Sequence, residues 1–355
     1  MFASGEDADR LVAGIPAAAR VAHQAHLAGV ATCRIVAPAP WQPQALTCTE
    51  TERLAEGIAV GFGHDAAAAG VDFGPGPVLV IAGDRQPDAA ALALEQPVDA
   101  PLIDAAVARI LAAGDGADRR LAQTARVALR STAKPSDGIV SRCINRPVSR
   151  SISRIMLQWP GVRPLHATYG TALIALAMVA TLLTGTHWGL ISGALLFQAA
   201  SVFDGVDGEI ARATFRASRT GARLDSLIDA ATNLAFLLCV SINLQIQGKI
   251  LPARLGLAGL AMLATGLLLI GRVSARSKAP FSFDIVKDYY RTGGSSGKPS
   301  GTLKGLTFLT SRDFFALFFA LLIASGLALP ALGLFAVSAA GWLVAVAIAL
   351  RPRHA

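Results

Sequence analysis

The sequence predicts an all-α membrane protein with six transmembrane helices, a juxtamembrane amphipathic helix and a small N-terminal α/β domain. Three observations support this prediction: the composition, a series of long apolar runs in the second half, and a change of character near residue 134. Of the 355 residues, 53% are hydrophobic and only 16% are charged, with a mean hydropathy of +0.50. Soluble domains usually carry about 25% charged residues, so the composition favours the membrane class.

Six apolar runs follow the first 164 residues, and a spanning helix needs about 20 residues. Several runs are short, and the second and third qualify because their polar ends would face a site rather than lipid. The runs cover approximately residues 168–185, 188–212, 225–244, 255–270, 314–329 and 331–350.

Basic residues are distributed unevenly between these runs. The net charge is +8, and the segments 212–223, 272–312 and 351–353 are strongly basic, whereas the other connections contain only Lys249 and Arg254. The positive-inside rule places the basic side in the cytoplasm. We therefore expect a multi-pass protein of the cell (inner) membrane with both termini and segment 212–223 cytoplasmic. The polar, acidic start of the chain predicts no signal peptide.

The region before residue 134 alternates short apolar runs with helical patterns. Such alternation is typical of a small parallel α/β layer. We predict a cytoplasmic α/β domain at 1–133 and a membrane domain at 134–355. The predicted strands are 33–37, 57–61 and 78–82, and the predicted helices are 17–28, 64–69 and 102–113.

Four aspartates lie close together in sequence, at the ends of two of the apolar runs. Asp204 and Asp207 are three residues apart, and Asp225 and Asp229 are four apart, so each pair shares one helix face. Four converging carboxylates cannot all stay ionised without cations, and Mg²⁺ prefers oxygen ligands. The alternative, in which these acids only pair with nearby arginines, would be favoured for any single aspartate. For four at these spacings we predict a metal site at the membrane face.

The aspartates belong to the pattern D-x2-D-G-x2-A-R-x8-G-x3-D-x3-D, which this sequence matches at every fixed position. The pattern resembles the signature of the CDP-alcohol phosphotransferase (phosphatidyltransferase) family. The resemblance implies an integral membrane enzyme with six transmembrane helices, usually a homodimer surrounded by lipid, with no nucleic-acid partner. Such an enzyme transfers a substituted phosphate from a CDP-alcohol donor to a hydroxyl acceptor and releases CMP, as in phospholipid biosynthesis.

The resemblance also implies roles for individual residues. The four aspartates would hold two Mg²⁺ (or Mn²⁺) ions, and Asp229 would also be the catalytic base. The family's P-N-x-x-T segment transfers only at its last residue, because Leu165 replaces the asparagine. The implied CDP-binding residues are Gly208, Ala211, Arg212, Ser218, Gly221 and Thr168.

The N-terminal region weakly resembles a sugar-nucleotidyltransferase domain, through Gly14-Ile-Pro16 and the helix and strand expected after it. Cytidylyltransferase domains are fused to this family in the bifunctional enzymes of di-myo-inositol phosphate synthesis. The phosphate-binding loop L-A-A-G-x-G-x-R is missing from the start of the chain. A copy at 111–119 follows a predicted helix rather than a strand, which is the wrong setting for a phosphate cradle. We therefore predict a degenerate, non-catalytic domain.

Residues 139–156 repeat arginine every four residues, among apolar side chains, with Pro147 expected to interrupt the helix. This pattern describes a helix in the membrane interface and resembles the juxtamembrane helix of inositol-linked family members. Its arginines could bind either anionic headgroups or substrate. They are Arg142, Arg146, Arg150 and Arg154.

The substrates stay open at this point. The donor could be CDP-diacylglycerol or a CDP-polyol such as CDP-inositol, and the acceptor an inositol phosphate, a glycerol phosphate or a lipid hydroxyl. We expect a phosphorylated acceptor held by Arg272, Lys304 and Arg312, although membrane topology alone would also place basic residues there. A cation-dependent transporter is a competing class, disfavoured because no internal repeat is apparent and the acids lie at helix ends. The four cysteines predict reduced thiols.

Overall fold

The computed structural model describes residues 1–64, 78–94, 98, 103–112, 116–134, 138–276 and 312–349. The chain divides into two compact units, and neither is continuous in sequence. The first unit comprises Met1–Lys134, Arg150–Pro164 and Val206–Ser218, and the second comprises Pro135–Ser149, Leu165–Gly205 and Arg219–Ala355. Three segments that lie far apart in the sequence therefore form the first unit.

The N-terminal part of the first unit alternates short strands and helices, as predicted. Its strands pair as an antiparallel hairpin, β1 with β2, and as a parallel pair, β3 with β4. The elements are α1 (Gly5–Asp9), β1 (Leu11–Val12), β2 (Ile15–Pro16), α2 (Ala17–Leu27), β3 (Thr32–Val36), α3 (Ala45–Leu54), β4 (Ala59–Gly63), α4 (Ala89–Leu94), α5 (Ile103–Ala112) and α6 (Ala117–Arg130).

The β1–β2 hairpin turns through Ala13 and Gly14, both with positive φ (48° and 82°). Two positive φ values at the centre of a two-residue loop match the twist of the flanking strands. A Cβ on Gly14 would lie 2.5 Å from Leu157 and 3.1 Å from Thr214. The hairpin therefore packs tightly against two later segments of the same unit, 150–164 and 206–218.

Two details of the predicted α/β layer are corrected. The second strand is Ala59–Gly63, two residues later than expected, and it pairs in parallel with β3 from Thr32↔Ala59 to Val36↔Gly63. The strand expected at 78–82 is not formed, because Val78 makes only an isolated bridge with Val98 and the chain then enters a 3-10 turn at Gly83–Arg85. The helix expected at 64–69 lies outside the described residues beyond position 64.

Helices account for most of the described chain after residue 138. They are α7 (Arg146–Met156), α8 (Pro164–Leu182), α9 (His187–Ala213), α10 (Arg219–Ile246), α11 (Ile250–Arg276), α12 (Arg312–Ala324) and α13 (Ala328–Ala349). Five of them are long and apolar enough to cross a membrane: α8, α9, α10, α11 through Arg272, and α13. The run predicted as the fifth span contains a shorter apolar helix, Phe314–Ala324.

Pro147 does not interrupt the helix at 139–156, contrary to the prediction. A π-helical turn at Ser141–Asn145 precedes it and continues directly into α7. A proline lacks the N–H that would bond to an earlier carbonyl, and a π-turn is a common way for a helix to absorb a local irregularity.

The second unit has an apolar core in which glycines let helices approach closely. On α11, a Cβ at Gly259 would lie 2.5 Å from Phe335, and a Cβ at Gly266 would lie 2.1 Å from the ring of Trp342, both on α13. Small residues at helix contacts are the usual means of close packing in membranes, where apolar burial gives no net drive between helices. The packing of α11 against α13 therefore depends on these glycines.

We predict that Gly266→Ala destabilises the protein and that Gly341→Ala does not. The new methyl at 266 would overlap the Trp342 ring, and overpacking typically costs about 1–3 kcal/mol. Gly341 on α13 has open space around its Cβ direction, so alanine there gains helix propensity of up to about 1 kcal/mol. The measurement is the thermal unfolding midpoint in detergent, and equal midpoints for the two variants would contradict this packing.

Candidate active site

The site begins with the antiparallel pairing of α9 and α10, which two contacts fix. Near the middle of the helices, the rings of Phe197 and Phe236 stack with centroids 3.8 Å apart and planes 3° from parallel. At the far end, the buried Asn243 amide donates to the carbonyl of Leu182 (2.6 Å), the last residue of α8, and to that of Thr186 (3.4 Å), the residue before α9. These contacts set the register of the two helices.

The same register places two of the signature aspartates at one level. Asp204 follows Phe197 by seven residues on α9, and Asp229 precedes Phe236 by seven residues on α10. Seven residues are almost two turns, or about 10.5 Å, so each aspartate lies on the face that carries the stacked ring. Because the helices are antiparallel, Asp204 and Asp229 are both displaced from the stacked rings toward the short connection 214–218. Asp225 lies one further turn along α10.

The carboxylates differ in their surroundings. Asp207 is buried, with 7% of its surface exposed, whereas Asp204, Asp225 and Asp229 are half-buried. Asp229 Oδ1 accepts a hydrogen bond of 2.7 Å from Asn233 Nδ2, which also donates to the Asp229 carbonyl at 2.9 Å. These two hydrogen bonds fix the rotamer of Asp229. The role of Asn233 was not predicted from the sequence. Among the described residues, no group of three or more His, Cys, Asp or Glu side chains has an arrangement that could hold a metal ion.

The arginine of the signature lies against the glycine of the signature, four residues earlier on α9. A Cβ at Gly208 would lie 3.1 Å and 3.2 Å from the two terminal nitrogens of Arg212, so a larger residue would displace the guanidinium. Arg212 Nε donates to the carbonyl of Thr132 at 2.8 Å. The absence of a side chain at 208 and the carbonyl at 132 together set where this guanidinium lies.

Glu209 is a residue of the same segment that the sequence reasoning did not single out. It is fully buried in the first unit, and its Oε2 accepts a hydrogen bond of 2.7 Å from the Ser153 hydroxyl. Its position in the sequence could have identified it, because an acid inside an apolar run usually has a buried partner. This hydrogen bond joins the segment 150–164 to α9.

One of the four regularly spaced arginines is directed into the protein. Arg146 is 7% exposed and donates to the Gly205 carbonyl at 3.4 Å, and a Cβ at Gly205 would lie 3.2 Å from its Nη1. Gln198 on α9 donates to Asn145 Oδ1 at 3.0 Å. Asn145 and the start of α7 therefore contact α9, at Gln198 and at Gly205 next to Asp204. Arg142 and Arg154 are exposed.

The remaining predicted site residues occupy varied positions. Thr168 is buried on α8, whereas Ser218 and Gly221 are exposed around the start of α10; Ala211 is half-buried on α9. Of the three residues expected to hold the acceptor, Arg272 is exposed on α11, Arg312 begins α12, and Lys304 lies outside the described residues. In the copy of the phosphate loop at 111–119, residues 113–115 lie outside the described residues. Its first two residues end α5 at Ala112, and Ala117 begins α6.

The signature contributes carboxylates on both α9 and α10 and one guanidinium on α9. Carboxylates suit hard divalent cations, and a guanidinium suits phosphate oxygens because it can donate two parallel hydrogen bonds. A carboxylate whose rotamer is fixed can also take a proton from a hydroxyl group.

Comparison with known proteins agrees with this chemistry. Over 113 residues the chain is 34% identical to a protein of Thermococcus kodakarensis named bifunctional IPC transferase and DIPP synthase, covering 32% of this chain and 25% of that protein. A protein of the same name from Aquifex aeolicus is 35% identical over 118 residues, or 33% and 26% of the two chains. The Archaeoglobus fulgidus counterpart is 34% identical over 106 residues, or 30% and 20%. The matches thus span a fifth to a quarter of the length of these curated relatives.

The model of one protein family matches residues 164–352, which is just over half of the chain and includes all four aspartates. The matched region begins with α8 and contains α9 and α10, whose register sets the site. On this basis the chain belongs to the CDP-alcohol phosphatidyltransferase family.

Proposed function

We propose that this protein is a membrane enzyme that transfers a substituted phosphate from a CDP-alcohol to a hydroxyl acceptor and releases CMP. The observation that supports this most strongly is the register of α9 and α10, which brings Asp204 and Asp229 to one level. Family membership supplies the reaction class. Arg212, which lies against Gly208, supplies a guanidinium suited to the donor's phosphates.

The relatives' names favour an inositol-linked reaction. They are called IPC transferase and DIPP synthase, and we propose that this chain likewise uses a phosphorylated polyol acceptor such as inositol phosphate. The donor would be CDP-diacylglycerol or a CDP-polyol such as CDP-inositol. The same chemistry with glycerol phosphate or a lipid hydroxyl as acceptor is the alternative.

The proposal of a divalent metal site rests on the chemistry and sequence spacing of the four aspartates, since their side chains are not grouped for metal binding in the described part of the chain. Asp204 and Asp229 lie on the ring-bearing faces of adjacent helices, Asp225 is one turn from Asp229, and Asp207 is one turn from Asp204. Four carboxylates form an oxygen-only ligand set that Mg²⁺ or Mn²⁺ prefers. Two bound cations would neutralise the donor's diphosphate and the charge that develops on departing CMP.

The protein's own residues would carry out binding and proton transfer. Arg212 would bind the diphosphate, and Gly208 would contribute to CDP binding by leaving room for this guanidinium on the helix surface. Asp229, held by Asn233, would accept the proton of the acceptor hydroxyl. The hydroxyl oxygen then forms a bond to the phosphorus that bears the donor's alcohol. The bond from that phosphorus to the bridging oxygen breaks, and CMP leaves with this oxygen.

We further propose that the short apolar helix Phe314–Ala324 is part of a sixth span, with the aspartates and both termini cytoplasmic in a homodimer of the cell membrane. The segment 139–156 would lie in the membrane interface. Its apolar residues Ile139, Ile144, Val148 and Ile155 are exposed, whereas Ser149 and Ser153 are buried. Exposed apolar residues opposite buried polar ones suit contact with lipid.

The proposed function is tested by measuring CMP release in detergent from a panel of CDP-alcohols, with Mg²⁺ and candidate acceptors. Wild-type protein should release CMP in a metal-dependent manner, and chelation by EDTA should abolish release. Asp225→Asn should lower the rate roughly 100-fold or more, because it removes a charged ligand. Asp88→Asn, at an exposed acid before α4, is the matched control. Full activity of a folded Asp225→Asn protein would refute the metal role.

Asp229→Asn should lower kcat by roughly 10²-fold or more, while donor binding survives in part. Asparagine keeps an oxygen that can accept the hydrogen bond from Asn233, so the local structure should be retained while the basic group is lost. Steady-state kinetics at saturating donor and acceptor separate these effects. Loss of donor affinity with an unchanged kcat would show that Asp229 is not the base.

The acceptor residues are tested with two helix-end arginines and one matched control. Arg272→Ala and Arg312→Ala should each raise the KM of a phosphorylated acceptor roughly tenfold, since charge-assisted hydrogen bonds to phosphate are worth about 1.5–3 kcal/mol. Arg254→Ala, also exposed on α11 but eighteen residues and about 27 Å away, should leave it unchanged. An unchanged KM in all three variants would favour an acceptor without phosphate.

A further inference from the structure

We propose that the N-terminal α/β region is a positioning element for donor binding: it holds the last turn of α9, and with it Arg212, in the conformation that binds the donor's phosphates. This inference rests on the proposed function and deepens it. All the residues involved belong to the first unit, through its segments 1–134 and 206–218.

The end of α9 adopts a conformation that its sequence does not favour. Arg216 N–H donates to the Ala211 carbonyl at 2.8 Å, and Phe215 N–H donates to the Arg212 carbonyl at 3.4 Å. This is the bonding of a Schellman motif, which normally places glycine at the left-handed position. Here Phe215 occupies it with φ +52°, at a cost of roughly 1–2 kcal/mol. Contacts from outside the helix must therefore support this end.

Arg20 on α2 supplies the first of these contacts. It is 8% exposed, its Nε donates to the Val12 carbonyl at 2.6 Å, and its Nη2 donates to the carbonyls of Ala13 and Ala213. Its guanidinium also lies 5.2 Å from the centre of the Phe215 ring. Burial lowers the pKa of Arg20 to about 10, so the group stays charged at neutral pH. A cation at a helix C-terminus is favoured by the helix dipole.

Arg53 and Glu50 on α3 supply the second set of contacts. Arg53 donates to the carbonyls of Thr214 (2.9 Å) and Phe215 (3.3 Å) and forms an ion pair of 2.6 Å with Glu50. Glu50 in turn accepts a hydrogen bond from Arg216. Burial lowers the pKa of Arg216, and the negative charge of Glu50 opposes this shift. The final carbonyls of a helix lack intrahelical donors, and here arginines of the N-terminal region satisfy them.

A third contact acts on Arg212 itself. The carbonyl that accepts from its Nε belongs to Thr132, two residues after α6 ends at Arg130. Thr132 is buried, and its hydroxyl donates to the Leu129 carbonyl at 2.6 Å. The N-terminal region thus fixes both the backbone that follows Arg212 and the orientation of its guanidinium.

We call Arg20, Glu50 and Arg53 the helix-end clamp. If the clamp positions Arg212, its loss should weaken donor binding selectively, because no clamp residue is placed in the acceptor site. In the full-length protein, Arg20→Met and Arg53→Met should each raise the donor KM roughly fivefold or more, with the acceptor KM unchanged. Arg119→Met, at an exposed arginine of α6, should change neither value.

A rescue experiment separates positioning from general stability. Glycine adopts the left-handed conformation without steric cost, so Phe215→Gly added to Arg20→Met should recover part of the lost donor affinity. Thermal unfolding in detergent shows whether each variant is folded. If Arg20→Met does not fold, Arg53→Met, whose native side chain is 32% exposed, carries the test.

The outcomes are distinct. Unchanged donor KM in the folded clamp variants, or equal increases in donor and acceptor KM, would overturn the positioning role while leaving the proposed function intact. A wild-type protein that releases no CMP from any CDP-alcohol would remove the proposed function, and the positioning role with it. A selective increase in donor KM that Phe215→Gly partly reverses would support both.

Discussion

The register of α9 against α10 is the constraint on which the site depends. Two antiparallel helices can slide or rotate, and a change of one residue rotates a side chain by about 100° around its helix. The stacked pair Phe197–Phe236 and the bonds of Asn243 to Leu182 and Thr186 fix one arrangement. In an apolar interior an amide without partners costs several kcal/mol. Asn243 therefore disfavours every register in which those carbonyls are out of reach. Because the helices are rigid, the register fixed at Asn243 also determines the positions of Asp204 and Asp229.

Glycine serves two purposes around this helix pair. On α11, Gly259 and Gly266 make room for the aromatic rings of α13, so that helices pack closely. On α9, Gly205 and Gly208 make room for the guanidinium groups of Arg146 and Arg212. The common factor is the missing Cβ, but the second use brings a positive charge onto the surface of a helix beside aspartates. Since a guanidinium held there needs no rearrangement before it meets an anion, such a site is preorganised.

The sequence could predict those features that follow from strong local constraints. A bilayer imposes a minimum length on apolar helices, so five of the six runs correspond to helices long enough to span it. The prediction of a strand at 78–82 was wrong. A short apolar run has no periodicity that distinguishes a strand from a buried helix or loop segment. The π-turn before Pro147 was missed because Pro147 predicts an irregularity without specifying how the helix absorbs it. The clamp could not be predicted at all, since Arg20 and Arg53 bond to carbonyls more than 150 positions away.

The burial of Arg20 shows why the clamp and the end of α9 depend on one another. Removing a guanidinium from water is unfavourable unless each of its donors finds an acceptor, and the lowered pKa of Arg20 reflects this cost. The carbonyls of Val12 and Ala13 belong to the β1–β2 hairpin, but the third acceptor, Ala213, exists in position only when α9 ends as it does. Phe215, for its part, holds an unfavourable left-handed conformation beneath the same guanidinium. The burial of Arg20 and the left-handed conformation of Phe215 are each unfavourable alone, and each is compensated by the other. The hairpin and the end of α9 should therefore form together. Such mutual dependence couples the N-terminal region to the backbone that follows Arg212.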